Sequence, residues 1–447
     1  MRDFKNLSRK KRFSPISLVD RRKLDTLRNL IESKPVDRRL RLILPLVALI
    51  LGAYPAFNML ISARNAQSSV GKSIMTSAPR IRPLRELDNI QSFKYASDSL
   101  SAARFVNGSL LAPLPDGGTV VYAIDQELQE RVERVMQTSR VPYGVFVAIE
   151  PKSGRILAMA AHSSVDPAWE RNSFYNIYPM ASLFKIITAA AALEKKQVSP
   201  GTVFAYRGKL TSENPRFWFV KPGKNNLEMP LDVAMGKSVN PVFGRLASDV
   251  VGRDNIVSYA ERFSFNQALL PGTCLKTSSS TTPQSDSELK LMGAGLCREV
   301  KISPLHVAAI MSAIANDGVM MFPALAKEIR NGRGETVFNQ QGQVLRNLVT
   351  PETAGQLSIM LSKTVHSGTS RKAFHDRRGR SLLASLDIAA KTGSINGKDP
   401  AGHYSWFAAY APTNDPQIAL VALVINQDKW RIKATYLGEQ ALEAFFK

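Results

Sequence analysis

The chain has 447 residues, 44% of them hydrophobic and 21% charged, a composition that excludes a fibrous or wholly disordered protein. At about 150 residues per domain, that length suits two or three units. Lys and Arg number 59 against 37 Asp and Glu, a formal net charge of +22 that suits anionic partners such as phospholipid head groups, acidic wall polymers or nucleic acid, and serves plain solubility equally well.

Residues 1–41 hold 14 basic and 5 acidic side chains, so this tail carries +9 and the remainder +13. Residues 42–61, "LILPLVALILGAYPAFNMLI", contain no charge. Twenty such residues are long enough to cross about 30 Å of hydrocarbon as a helix. Arg38, Arg39 and Arg41 abut its start, whereas Arg64 and Lys72 are sparse beyond its end. The positive-inside rule then predicts a cytoplasmic tail, a single retained span in the cytoplasmic membrane, and a remainder outside the cytoplasm. A cleaved signal peptide fits less well, because its apolar core is normally shorter and its basic start is brief. Residues 62–118 are rich in Ser, Asn, Pro and Gly, lack a long apolar period and read as a stalk or linker.

From Thr119 onward the text reads as one folded domain, 119–447. "TVVYAI" reads as a strand, after which Asp125 caps a helix with Leu128, Val132, Val135 and Met136 on one face. "YGVFVAIE" and "RILAMAA" are strands joined by the turn residues Pro151 to Gly154, so they predict a hairpin. The middle, about 182–343, reads as mostly helical. Within it Ser303, Pro304 and Gly318 mark the two ends of one helix. Three strands, "IAAKTGS", "YSWFAAYAP" and "IALVALVIN", and the amphipathic helix "ATYLGEQALEAFF" close the chain. Strands at both ends with helices between them predict an α+β fold. Its central antiparallel sheet of about five strands is flanked by helices, with a separate helical subdomain. Cys274 and Cys297 flank a polar loop and read equally as a disulfide or as two free thiols. No Cys/His cluster has metal-ligand spacing, so neither metal nor cofactor is expected.

The stretch "PMASLFKIITAAAALEKK" poses the chemical question. Between residues 186 and 193 only Thr188 is polar, which predicts a helix buried all round with a lysine at its mouth. Burying that lysine is costly unless its charge has partners or a task. Ser182 and Lys185 are three apart and share a face. Ser182 lies where free N–H groups and the helix dipole favour developing negative charge. A serine hydroxyl is a poor nucleophile until a base takes its proton, and a buried lysine with a lowered pKa can do so. Taken alone, the pair also fits an N-terminal serine beside a snorkelling lysine.

Two further triplets change that balance. Ser238-Val239-Asn240 precedes Pro241, and Lys391-Thr392-Gly393 falls on the later strand. Taken singly, Ser238 and Asn240 also fit a turn cap, and Lys391 a solvated strand residue. Ser-x-x-Lys, Ser-x-Asn and Lys-Thr-Gly, in that order, resemble the signature of penicillin-binding proteins and class A β-lactamases, with Val239 in place of the usual Asp. "YAIDQELQERVERVM", "GAGLCREVKISPLHVAAIMSAIANDGVMMFP", "HSGTSRKAF" and "WFAAYAP" extend the resemblance to the penicillin-binding transpeptidase domain over about three quarters of the chain.

That resemblance implies a D,D-transpeptidase. Ser182 would attack the penultimate D-alanine carbonyl of a wall stem peptide, with Lys185 as base. Ser238, helped by Lys391, would pass a proton to the leaving D-alanine. Asn240 would hold the peptide backbone or orient Lys185. Thr392 and Lys391 would hold the terminal carboxylate, and Gly393 would let the substrate lie close to the strand. Backbone N–H groups of Ser182 and Ser394 would form the oxyanion hole. Partners implied are stem peptides ending in D-Ala-D-Ala, β-lactams as inhibitors, membrane lipid, and a separate glycan polymerase. Residues 62–118 are too few for a glycosyltransferase domain. A β-lactamase, a D,D-carboxypeptidase, and a slow sensor or scaffold remain as rival readings. The Glu-x-x-Leu-Asn segment of class A lactamases is missing. Nucleic acid is not expected, because the charge flanks an apolar span and no binding motif accompanies it. His403 and Trp406 lie just beyond the last triplet. His403 reads as cleft-lining or as structural, and His306 as structural.

Overall fold

The structure is a computed structural model that describes residues 86–223 and 226–447. The tail 1–41, the expected span 42–61 and residues 62–85 of the stalk lie outside the described residues. Among the described residues, no helix is long and apolar enough to cross a membrane.

Residues 86–118, read from sequence as part of a stalk, are folded. Helix α1 (Asn89–Ser99) begins with a capping box: Asp88 accepts from the Gln91 N–H at 2.7 Å, and Gln91 accepts from the Asp88 N–H at 3.0 Å. Strands β1 (Arg104–Val106) and β2 (Ser109–Pro113) form a hairpin, and β2 pairs antiparallel with β3 (Thr119–Tyr122). The Tyr122 hydroxyl ties β3 to α1 by donating to the Ala96 carbonyl at 2.8 Å. Only Ser92, Phe93 and Ala96 of α1 are buried, too thin a stripe to show as a helical period.

Helix α2 (Gln126–Thr138) is capped by Asp125, which accepts from the Leu128 N–H at 2.8 Å, and buries the apolar face its spacing predicts. The hairpin β4 (Tyr143–Ile149) and β5 (Ile156–His162) follows. A 3-10 turn, Ala181–Phe184, leads into α3 (Lys185–Glu194), of which all but the last residue is buried. Helices α4 (Asn240–Arg245), α5 (Asp286–Gly293) and α6 (Pro304–Ala315) fill the middle. Strands β6 (Ala326–Arg330) and β7 (Thr336–Asn339) also arise there. They join β3 in a second five-stranded sheet of order β1-β2-β3-β6-β7, so "TVVYAI" does not extend the central sheet. Helix α7 (Pro351–His366) precedes the closing strands β8 (Ala389–Lys398), β9 (Ala401–Ala411) and β10 (Ile418–Asn426), and α8 (Ala434–Phe446) ends the chain.

The central sheet has the order β8-β9-β10-β4-β5 and is antiparallel throughout, as expected from the short loops. Both of its faces are covered. Val145, Val147, Val421 and Leu423 join the large core that contains α3. Phe146, Ala148, Leu420 and Ala422 pack in a second core with Leu437 and Leu442 of α8. This double burial explains why β10 is apolar at nearly every position instead of alternating. Strand β8 is the sheet edge, leaving one side of its backbone unpaired by any strand. Cys274 is exposed and Cys297 half-buried, and both are free thiols, so no disulfide closes the loop between them.

Candidate active site

The turn that carries Ser182 is fixed from three sides. Trp406, fully buried on β9, donates its indole N–H to the Pro179 carbonyl at 2.9 Å, and Met180 donates to the Val300 carbonyl at 2.9 Å. Ala181 then adopts φ 54°, a left-handed conformation costly for a residue with a Cβ, which places Ser182 at the start of the turn leading into α3. Gly295, at φ 70°, backs this turn, and a Cβ there would stand 2.3 Å from the Ala181 carbonyl oxygen. The glycine-led segment 293–295 is therefore required by close approach, and it delivers one carbonyl, that of Ala294, to the site.

Lys185 is completely buried. Its Nζ lies 2.8 Å from Ser182 Oγ, 2.8 Å from Asn240 Oδ1 and 2.6 Å from the Ala294 carbonyl oxygen. Burial, and secondarily the charge of Lys391, hold its pKa well below the ordinary lysine range. A neutral amine has two N–H groups and one lone pair. Asn240 and Ala294 offer acceptors only, so they take the two N–H groups and the lone pair is left for the Ser182 hydroxyl. After proton transfer, each of the three N–H groups of the ammonium has an acceptor. The Asn240 amide is oriented by its own Nδ2, which donates to the Ser212 carbonyl at 3.3 Å.

Ser238 does not reach Lys185 among the hydrogen bonds of this site. It sits at φ 56° and accepts from Lys391 Nζ at 2.8 Å, while Lys391 also donates to the Thr392 carbonyl at 2.9 Å. Lys391 is fully buried on β8, and desolvation lowers its pKa to about 7. Next to it, the Thr392 hydroxyl lies 2.6 Å from that of Thr369, and Ser394 is exposed on the same strand. A Cβ at Gly393 would meet Ala181 Cβ at 3.3 Å and the Met180 carbonyl oxygen at 3.4 Å, so its smallness also brings β8 against the Ser182 turn.

Ser182, Ser238, Asn240, Thr392 and Ser394 line one cleft of about 910 Å³. The buried amines of Lys185 and Lys391 reach that cleft through Ser182 and Ser238. His403 lines the cleft too, with Nδ1 2.9 Å from Asn396 Oδ1 and its ring 4.8 Å from that of Trp430. His306 is structural: it is buried, with Ser278 Oγ 2.7 Å from Nδ1 and the Phe263 carbonyl oxygen 2.8 Å from Nε2. Sequence reasoning missed Thr369 and the carbonyls of Ala294 and Ser212. A backbone carbonyl leaves no mark in the residue type, and Thr369 lies in the stretch "HSGTSRKAF", which carried the resemblance without a role for any one of its residues.

Residues 144–447 match the family model described as the penicillin-binding protein transpeptidase domain. The peptidoglycan D,D-transpeptidase PbpA of Mycolicibacterium smegmatis is 29% identical over 358 residues, spanning 72% of this chain and 70% of that protein. Stage V sporulation protein D of Bacillus subtilis is 28% identical over 70% of this chain, but only 50% of that protein is covered. The crystal structure of the D,D-transpeptidase domain of a peptidoglycan glycosyltransferase from Eggerthella lenta superposes with a TM-score of 0.61 at 26% identity, over 79% of this chain and 90% of that one. The family match takes in well over half of the chain and includes every side chain that meets at the cleft. The chain belongs to the penicillin-binding protein transpeptidase family.

Proposed function

We propose that the protein is a peptidoglycan D,D-transpeptidase, held to the cytoplasmic membrane by residues 42–61 with its catalytic domain outside, and acylated by β-lactams. The observation that carries the mechanism is the buried amine of Lys185 within 2.8 Å of Ser182 Oγ, with two other acceptors taking its N–H groups. Neutral Lys185 accepts the Ser182 proton as Oγ bonds to the penultimate D-alanine carbonyl carbon. The N–H groups of Ser182 and Ser394 receive the oxyanion, where one such donor typically contributes about 3–4 kcal/mol to the transition state. The amide C–N bond then breaks. Ser238 gives its proton to the departing D-alanine amine and regains one from Lys391 Nζ, 2.8 Å away. An amine from a second strand attacks the acyl carbon and gives its proton to Ser238, which passes one back to neutral Lys391. The ester C–O bond breaks, and the proton held on Lys185 returns to Ser182. Lys391 and Thr392 hold the donor's terminal carboxylate.

Mass analysis of products from a stem pentapeptide incubated with an amine acceptor tests this reading. Cross-linked dimer together with free D-alanine is expected. Trimmed tetrapeptide alone would make the protein a carboxypeptidase. A long-lived penicillin adduct with no peptide turnover would make it a sensor or scaffold, and an adduct lost within seconds would make it a lactamase.

The two lysines also set a pH profile. Lys185 must be neutral and Lys391 charged when a carboxylate substrate arrives. Acylation by a penicillin should therefore fall in acid as Lys185 gains its proton. It should fall again in alkali, with a midpoint near pH 7, as Lys391 loses its own. The alkaline limb should be shallower for the methyl ester of the same penicillin, which has no carboxylate to attract but still draws on the Lys391 proton through Ser238. An alkaline limb lying in the ordinary lysine range would contradict the assignment to Lys391.

A further inference from the structure

The reaction scheme leaves one group of charges unused. Arg207, Lys209, Arg216 and Lys221 line a surface cavity of about 590 Å³ together with Phe217 and Phe219, and no Asp or Glu lines it. Among the described residues, none of these four side chains has an ion-pair or hydrogen-bond partner. Elsewhere Arg245 is paired with Asp249 at 2.7 Å and Arg155 with Glu150 at 2.6 Å. Nη1 of Arg207 is buried without an acceptor, a costly state for a guanidinium nitrogen. Phe217 and Phe219 are 65% and 55% exposed, and Lys290 Nζ stands 4.1 Å over the Phe219 ring. Unpaired cations beside exposed aromatic faces fit a ligand that combines carboxylates with sugar rings.

The cavity adjoins the catalytic cleft. Thr211 lines both, and the carbonyl of its neighbour Ser212 accepts from Asn240, which in turn holds Lys185. Transpeptidation needs two wall strands at Ser182. The donor's terminal carboxylate goes to Lys391 and Thr392, whereas the reaction scheme assigns no group to the acceptor strand, whose stem peptides also carry free carboxylates. Lys237 and Arg298 line the cleft itself, and the neighbouring cavity adds four more cations. We propose that this cavity is a subsite for the carboxylates of the acceptor peptidoglycan strand, holding it while its amine enters the cleft. The subsite rests on the transpeptidase reading above.

The test uses the full chain in detergent, with Arg207→Gln, Arg216→Gln and Lys221→Gln combined. The probes are an uncross-linked disaccharide-peptide acceptor and the same acceptor with its carboxylates amidated. The triple variant should raise the KM for the carboxylate-bearing acceptor about tenfold, and 0.5 M salt should produce much of the same rise in the parent protein. The amidated acceptor should be indifferent to the substitutions. Acylation by fluorescent penicillin should stay within about twofold of the parent, which a general loss of structure would not permit. Arg216→Lys with Lys221→Arg, which keeps the charge, should leave the acceptor KM near the parent value. An unchanged acceptor KM in the triple variant overturns the subsite alone, as does an equal loss of penicillin acylation. Reduced binding only to vesicles of anionic phospholipid would make the cavity a membrane contact instead. A parent protein that forms a penicillin adduct but no cross-link overturns the transpeptidase reading and the subsite with it.

Discussion

Replacing Lys185 with methionine should slow acylation by penicillin between about 100- and 10,000-fold, the range that a lost general base typically costs. Methionine nearly matches the stem of the lysine, so the core around α3 stays filled. The replacement removes a fully buried amine and its desolvation penalty. It also strips the Asn240 carboxamide oxygen and the Ala294 carbonyl of a donor, at roughly 1–3 kcal/mol for each buried acceptor left unpaired. These contributions oppose one another, so thermal stability should change far less than the rate. Stopped-flow acylation beside a melting curve separates them. A rate close to that of the parent would remove Lys185 as the base. A conventional lysine titration of Lys185 in the free protein, read by NMR of a labelled side chain, would do the same, because an amine protonated at neutral pH has no lone pair for Ser182.

Replacing Ser182 with alanine should have a larger effect still. No ester can form, and acylation should fall beyond detection, at least about 10,000-fold, as when the nucleophile of a unit that acts together is removed. The change deletes one half-buried hydroxyl and disturbs neither the Trp406 anchor nor the Gly295 contact, so the fold should persist. Non-covalent binding of a penicillin carboxylate to Lys391 and Thr392 should survive. Adding Lys185→Met to Ser182→Ala should cost nothing further, because the base acts only through the hydroxyl it serves.

The parts of the molecule that carry long apolar runs were legible in the sequence. Strands β4, β8, β9 and β10 and helices α2, α6 and α8 stand where their periods and caps place them, and the central sheet has the expected five antiparallel strands. Three spaced triplets converge on one cleft because each lies where the fold fixes it: a turn before a buried helix, a left-handed turn, and an edge strand. The strands β6 and β7 were hidden in text read as helical, since each is short, β6 pairs with β3, some 200 residues earlier, and β7 pairs only with β6. Helix α1 was hidden because it buries so little. Within the site, the acceptors that decide the hydrogen bonding of Lys185 and Asn240 include two main-chain carbonyls, at Ala294 and Ser212. Residue identity does not announce a carbonyl. The motif nearest to it was the run of small residues 293–295, whose need is steric. At Gly393 the sequence also left unread the close packing of β8 against the Ser182 turn, which depends on a contact more than 200 residues away in the chain.

Proteolysis and mass spectrometry of the penicillin-treated protein test the central claim most directly, because they locate the covalent bond. The expected result is one penicillin per chain, carried on the peptide that contains Ser182 and absent from the Ser182→Ala variant. An adduct on any other residue, an adduct that persists in that variant, or no adduct at all would contradict the assignment of Ser182 as the nucleophile.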